Sequence, residues 1–188
     1  MKIQANTIRS GNVIEHQGRQ YAVLKINLLQ PGKGSAFIQV EMRDVQSGLK
    51  TNERWRTNDS VEKLTVEERA STFLFADDET LTFMDAENYE QMTLSRDTLG
   101  ESAGFLQDGM AVTVDFIEGK PVAVQLPPMV TMTITEADPV VKGQTASSSY
   151  KPAVLENGMR IMVPPHIADG TRVVVYTEDG SYAERAKD

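Results

Sequence analysis

The chain has 188 residues, 40% of them hydrophobic and 24% charged, with no cysteine and a formal net charge of −8. This is the composition of an ordinary globular protein, and the missing thiols exclude disulfides, thiolate nucleophiles and thiolate metal sites. The N-terminus lacks the apolar core of a secretory signal, and no stretch approaches the roughly 20 apolar residues of a membrane helix, so a cytoplasmic protein with no membrane partner is expected.

In chain order the pattern is β almost throughout. Strands are predicted over 12–16, 20–29, 36–44 and 49–56, then over 71–76, 80–85, 89–94, 111–117 and 120–125, and finally over 130–136, 152–155, 160–163 and 171–176. Most alternate apolar and polar residues, as in Ile38-Gln39-Val40-Glu41-Met42, the period of a half-buried strand. Gln17-Gly18, Ser47-Gly48, Asp77-Asp78, Glu118-Gly119 and Asn157-Gly158 punctuate them as turns. Only 95–99 and 103–107 read as short helices.

Two boundaries follow. The stretch 60–68 is polar and lies where the charge changes sign, and Pro127-Pro128 stiffens a connection. The resulting segments are 1–63, 64–127 and 128–188, each sized for a small β-barrel. The first holds 10 Lys+Arg against 6 Asp+Glu, a charge of +4. The second holds 3 against 13, or −10, and the third 6 against 8, or −2. A basic head on an acidic body orients in an electric field, head toward phosphate.

The basic head carries the run Gln30-Pro31-Gly32-Lys33-Gly34-Ser35 between two strands. Pro31 presets one φ and the glycines tolerate φ > 0, so a tight turn at a hairpin tip is expected. Lys33 would project from it, as either an idle solvated residue or the working end of the molecule. The run is not a nucleotide-binding loop: Asn27 stands where that motif needs glycine, and a strand follows where it needs a helix.

No catalytic set assembles. His16 and His166 have no histidine or carboxylate at ligand spacing, so no metal site is expected. Asp77-Asp78-Glu79 reads as a solvated turn. The small, polar run 138–146 could offer backbone N–H groups to phosphate or sugar oxygens, although spacing alone favours a plain surface loop.

Taken together, these residues resemble the bacterial translation elongation factor P family, related to eukaryotic and archaeal initiation factor 5A. The resemblance rests on Lys151-Pro152-Ala153, Gly158, Ile161, Val163-Pro164, Ile167 and Gly170 near the C-terminus, and on Pro31-Gly32-Lys33-Gly34 followed by Ala36-Phe37. Thr72-Phe73-Leu74-Phe75, Phe83-Met84, Tyr89-Glu90-Gln91 and the stretch from Asp138-Pro139 to Lys142-Gly143 extend it across the whole chain.

The resemblance implies an all-β protein: an SH3-like (KOW-type) barrel over 1–63, then two OB-fold barrels, in an L shape that imitates tRNA. It implies a non-enzymatic effector that enters the 70S ribosome between the P and E sites and relieves stalling at consecutive prolines. Lys33, supported by Pro31, Gly32 and Gly34, would reach the CCA end of the P-site peptidyl-tRNA. A lysyl-tRNA-synthetase-like ligase would add a β-lysyl extension to Lys33, with no other cofactor. Gly143, Gln144 and Thr145 would approach the E-site mRNA codon, with Gln144 in place of the family's usual aspartate, and the factor would act as a monomer. Two alternatives stand beside this: a paralogue with an unmodified tip, and a generic OB-fold RNA-binding protein. The latter needs exposed aromatics on a basic groove, whereas the aromatics here are 6% of residues and gather in the acidic middle segment.

Overall fold

A computed structural model describes residues 1–139 and 149–187. They form sixteen strands in three antiparallel sheets, with three short 3-10 turns. The first sheet comprises β1 (Lys2–Gln4), β2 (Val13–His16), β3 (Arg19–Leu29), β4 (Phe37–Asp44), β5 (Lys50–Arg56) and β6 (Ser60–Leu64), in the order β1-β6-β2-β3-β4-β5. The second comprises β7 (Glu67–Ala76), β8 (Thr80–Asp85), β9 (Gln91–Ser95), β10 (Ala111–Ile117) and β11 (Lys120–Gln125), in the order β11-β10-β7-β8-β9. The third comprises β12 (Met129–Ala137), β13 (Lys151–Leu155), β14 (Arg160–Val163), β15 (Arg172–Tyr176) and β16 (Tyr182–Arg185), in the order β14-β13-β12-β15-β16.

The second and third sheets share one topology. In each, the first strand is central, flanked on one side by its second and third strands and on the other by its fourth and fifth. No repeat in the sequence betrays this. In both, the outermost strands approach each other, β9 toward β11 and β14 toward β16, so the sheets curl toward barrels.

Alternation builds the cores. Along β4, Ile38, Val40 and Met42 are buried while Phe37, Gln39 and Glu41 are half-buried on the opposite face. The inward residues join Ala5, Ile8, Ile14, Val23 and Val61 in one apolar cluster. Phe73, Leu81, Phe83 and Val114 fill the second sheet, and Ile134, Leu155, Val163, Val173 and Val175 the third. The described residues divide into two compact units: 1–100 with 107–125, and 101–106 with 126–188. In the first, the two sheets meet along a seam of Val13, Ile117 and Val122, with Val45, Leu64, Val66 and Ala123 packed against it. In the second, Asn157 Nδ2 donates to the Gly104 carbonyl at 2.9 Å, tying the turn Gly100–Phe105 to the last sheet.

Several elements depart from the predicted pattern. β1 and β16 are additional short strands, the polar stretch read as a boundary forms β6, and β7 begins at Glu67 rather than at 71. Only Val61 of β6 is buried. The strand forms because its backbone pairs with β1 on one side and β2 on the other, a tertiary gain that local alternation does not report.

Buried Asp44 ends β4 and organises the following turn. Its Oδ1 accepts from the Gln46 and Ser47 amides at 2.8 and 3.1 Å, and its Oδ2 from Arg19 Nη1 at 3.0 Å. Burial pushes its carboxyl pKa up, but the two amides and Arg19 outweigh that and hold it below the ordinary value. A depressed folded-state pKa stabilises the fold above the unfolded value of about 4 and stops doing so as pH falls through the folded one. Asp44→Ala is expected to cost about 1–3 kcal/mol at pH 7. It should also flatten the loss of stability below about pH 4, read by urea denaturation across pH.

Candidate functional site

The connection between β3 and β4 carries Lys33. It spans residues 30–36, all exposed except half-buried Ala36, and consists of bends with no ordered turn. The tight turn expected from sequence is therefore a wider loop. β3 and β4 stay paired up to its base, Leu28 against Ile38 and Leu29 against Phe37, with one irregularity between Val23 and Lys25. A paired ribbon is stiff where a free loop is not, so the loop is carried at a fixed place although its own residues make few contacts. Lys33 is exposed, and among the described residues no hydrogen bond or ion pair engages it.

The glycine whose backbone demands glycine is Gly34, at φ +130°; Gly32 lies outside the left-handed region. Of the two glycines flanking Lys33, only Gly34 uses the freedom the sequence offered both. Neither has any heavy atom within 4 Å of where a Cβ would stand, so space restricts neither and conformation restricts only Gly34. Pro31 is exposed beside them and its peptide bond is trans.

The ribbon's outer face continues the positive charge of the tip. Register places Leu29, Phe37 and Arg56 in one row, then Asn27, Gln39 and Arg54, then Lys25, Glu41 and Asn52. Lys25, Arg54, Arg56, Asn27 and Asn52 are exposed. Three cations and several amides on this face, against one half-buried acid, Glu41, make a surface for a phosphate backbone, where amides bond sugar and phosphate oxygens and cations displace counterions.

Gly143, Gln144 and Thr145 fall in 140–148, outside the described residues. His16 stands edge-on to Trp55 with ring centroids 5.2 Å apart, a packing histidine, and His166 is exposed. Asp77 accepts from the Glu79 and Thr80 amides at 2.8 and 2.6 Å. Those bonds hold its pKa below the ordinary value, as a turn-forming carboxylate requires. Among the described residues no group of three His, Cys, Asp or Glu could hold a metal, and no helix is long and apolar enough to cross a membrane. One residue of consequence that the sequence reading missed is Arg43 on β4: its neighbours are set by the approach of the second sheet, which no local pattern marks.

Three consecutive β-modules with a cation presented on a basic ribbon define a translation factor once the comparisons are set beside them. The family models for the elongation factor P KOW-like domain, OB domain and C-terminal domain match residues 4–61, 66–124 and 130–185. Elongation factor P of Paramagnetospirillum magneticum is 64% identical over 187 residues, covering 100% of both chains, and that of Rhodospirillum rubrum is also 64% identical over 187 residues with the same coverage. That of Gluconobacter oxydans is 60% identical over 188 residues. A solved initiation factor 5A from Methanococcus jannaschii overlaps 68% of this chain and 92% of its own at 19% identity, with a TM-score of 0.44. The chain belongs to the elongation factor P family, and it is a translation elongation factor.

The two loop glycines give a separable test. Gly34→Val should displace the amide resonances of residues 30–36, because valine disfavours that φ by about 1–3 kcal/mol. Gly32→Val should leave those resonances nearly in place, and neither change should alter the melting temperature of the sheets by more than a few degrees.

Proposed function

We propose that the protein binds the 70S ribosome between the P and E sites and speeds peptide-bond formation at consecutive prolines. Residues 1–63 lie along the acceptor arm of the P-site peptidyl-tRNA, and Lys33 reaches its CCA end. The observation that carries this reading is the exposed lysine, without a partner among the described residues, at the end of a paired ribbon whose outer face is basic.

The physical logic is positional. Proline's ring fixes φ and removes a donor, so a prolyl end explores unproductive geometries. Ordering that end removes an entropic part of the barrier without supplying a reacting group. The protein is thus an effector of the ribosome's own centre and not itself an enzyme. A lysine side chain has four flexible carbons and a point charge. A β-lysyl group added by a lysyl-tRNA-synthetase-like ligase lengthens it and adds donors for the tRNA backbone. In the third segment, Gly143, Gln144 and Thr145 meet the E-site codon, where glutamine offers both donors and an acceptor. The acidic charge of residues 64–188 suits a body that stands where a tRNA would.

Lys33→Ala should fold as the parent does, since an exposed tip residue buries little area. It should reduce relief of stalling on a polyproline reporter by tenfold or more, in line with the roughly 10²-fold cost of misplacing a reacting group by about 1 Å. A variant that rescues the reporter normally would contradict the role of Lys33. Intact mass of protein from its own source should exceed the sequence mass by one lysyl residue, and an unextended mass would favour the paralogue with a bare tip.

A further inference from the structure

Arg43 joins the two sheets of the first unit. From the outer face of β4 its Nη1 donates to the carbonyl of Asp97 at 2.7 Å and to that of Gly48 at 3.1 Å. Asp97 lies in the 3-10 turn Arg96–Thr98 that follows the second sheet's β9, while Gly48 is in the turn of the first sheet. The fit around this contact is tight. A Cβ on Gly100, whose φ is +58°, would stand 2.8 Å from Arg43 Nη2 and 2.9 Å from Nη1. A Cβ on Gly48 would stand 2.5 Å from Asp97 Cβ. Arg43 Nε is buried without a hydrogen-bond partner, so a polar group is desolvated to keep the guanidinium in this slot. Burial lowers its pKa, and Asp97 and Glu41 pull it back up.

The apolar seam of Val13, Ile117 and Val122 also joins these sheets. Hydrophobic contact is non-directional and by itself tolerates sliding and small rotations. Two hydrogen bonds from one planar guanidinium to two carbonyls are directional. They fix what the seam leaves free.

From this geometry we infer that Arg43 is a positioning residue: it locks the first sheet against the second so that the Lys33 loop is held at one angle to the second sheet. The inference rests on the functional reading above. The lever is long. Six residues of β4 separate Arg43 from Phe37, roughly 20 Å at about 3.3 Å per residue, and Lys33 lies beyond. A rotation of about 10° at Arg43 therefore moves the ribbon's end by roughly 3–4 Å, more than a hydrogen bond tolerates.

The test pairs two readouts on the full-length protein carrying its native Lys33 modification. Arg43→Met keeps the apolar stem and removes both hydrogen bonds. Gly100→Ala keeps Arg43 and pushes its guanidinium aside, which covers the case in which Arg43→Met does not fold. Residual dipolar couplings report the angle between the first two sheets. Stimulation of Pro-Pro bond formation on purified ribosomes is titrated with each factor to separate the maximal rate from the half-saturating concentration. Both variants, when folded, should change or broaden the inter-sheet angle by about 5–10° and lower the maximal rate about tenfold, with Arg43→Lys intermediate. A mere loss of folded fraction would move only the half-saturating concentration, and that result would overturn the inference. An unchanged angle in a folded variant, with the parent active, would overturn it as well. A parent inactive on Pro-Pro bonds would instead overturn the functional reading and remove the role of Arg43 with it.

Discussion

The pairing of β3 with β4 is the constraint on which the molecule's organisation depends. Eight register pairs run from Tyr21 opposite Asp44 to Leu29 opposite Phe37. A one-residue slip would turn Ile38, Val40 and Met42 outward and send Gln39 and Glu41 into the core. The same register that buries the core of the first sheet therefore assembles Lys25, Arg54 and Arg56 on the opposite face and brings the 30–36 loop to the ribbon's end. Core and binding face are the two sides of one alternation.

The rest of the chain is built by repetition. Two sheets with the same strand order follow the first, each with its own apolar filling. The joint within the first unit combines an apolar seam with a half-buried arginine. This division of labour is physically sensible, because the seam supplies non-directional attraction and the arginine supplies direction. Asp44 connects the two features. It sits next to Arg43 in sequence, ends β4, and with Arg19 shapes the turn whose Gly48 carbonyl receives the Arg43 guanidinium.

Much of this was legible in the sequence because alternation and turn chemistry are local. Ile38 to Met42, the Ser47-Gly48 turn and the Asn157-Gly158 turn all stand where their residue types place them. What was not legible depends on distant partners. β6 looks like a polar linker, and becomes a strand only because β1 and β2 lie on either side of it. Residues 101–106 follow the second sheet's β9 in sequence but pack with the last sheet, through Asn157 and at Gly180, where an added Cβ would stand 3.4 Å from the Phe105 ring. In the site, Lys33 was conspicuous between two glycines. Which glycine takes the unusual φ was not, since composition does not order two equivalent residues along a loop. Arg43 gave no signal at all, because one arginine on a strand looks like any other until the second sheet is placed against it.

The absence of cysteine from the chain makes one experiment unusually clean. A single Lys33→Cys substitution gives a unique thiol, to which an iron chelate can be tethered for hydroxyl-radical cleavage of RNA in a ribosome stalled with prolyl-tRNA in the P site. Strand scission confined to the 3′ end of that tRNA is the result expected if the ribbon delivers its tip to the reacting ends. Scission elsewhere on the ribosomal RNA, with the tRNA end intact, would contradict the account.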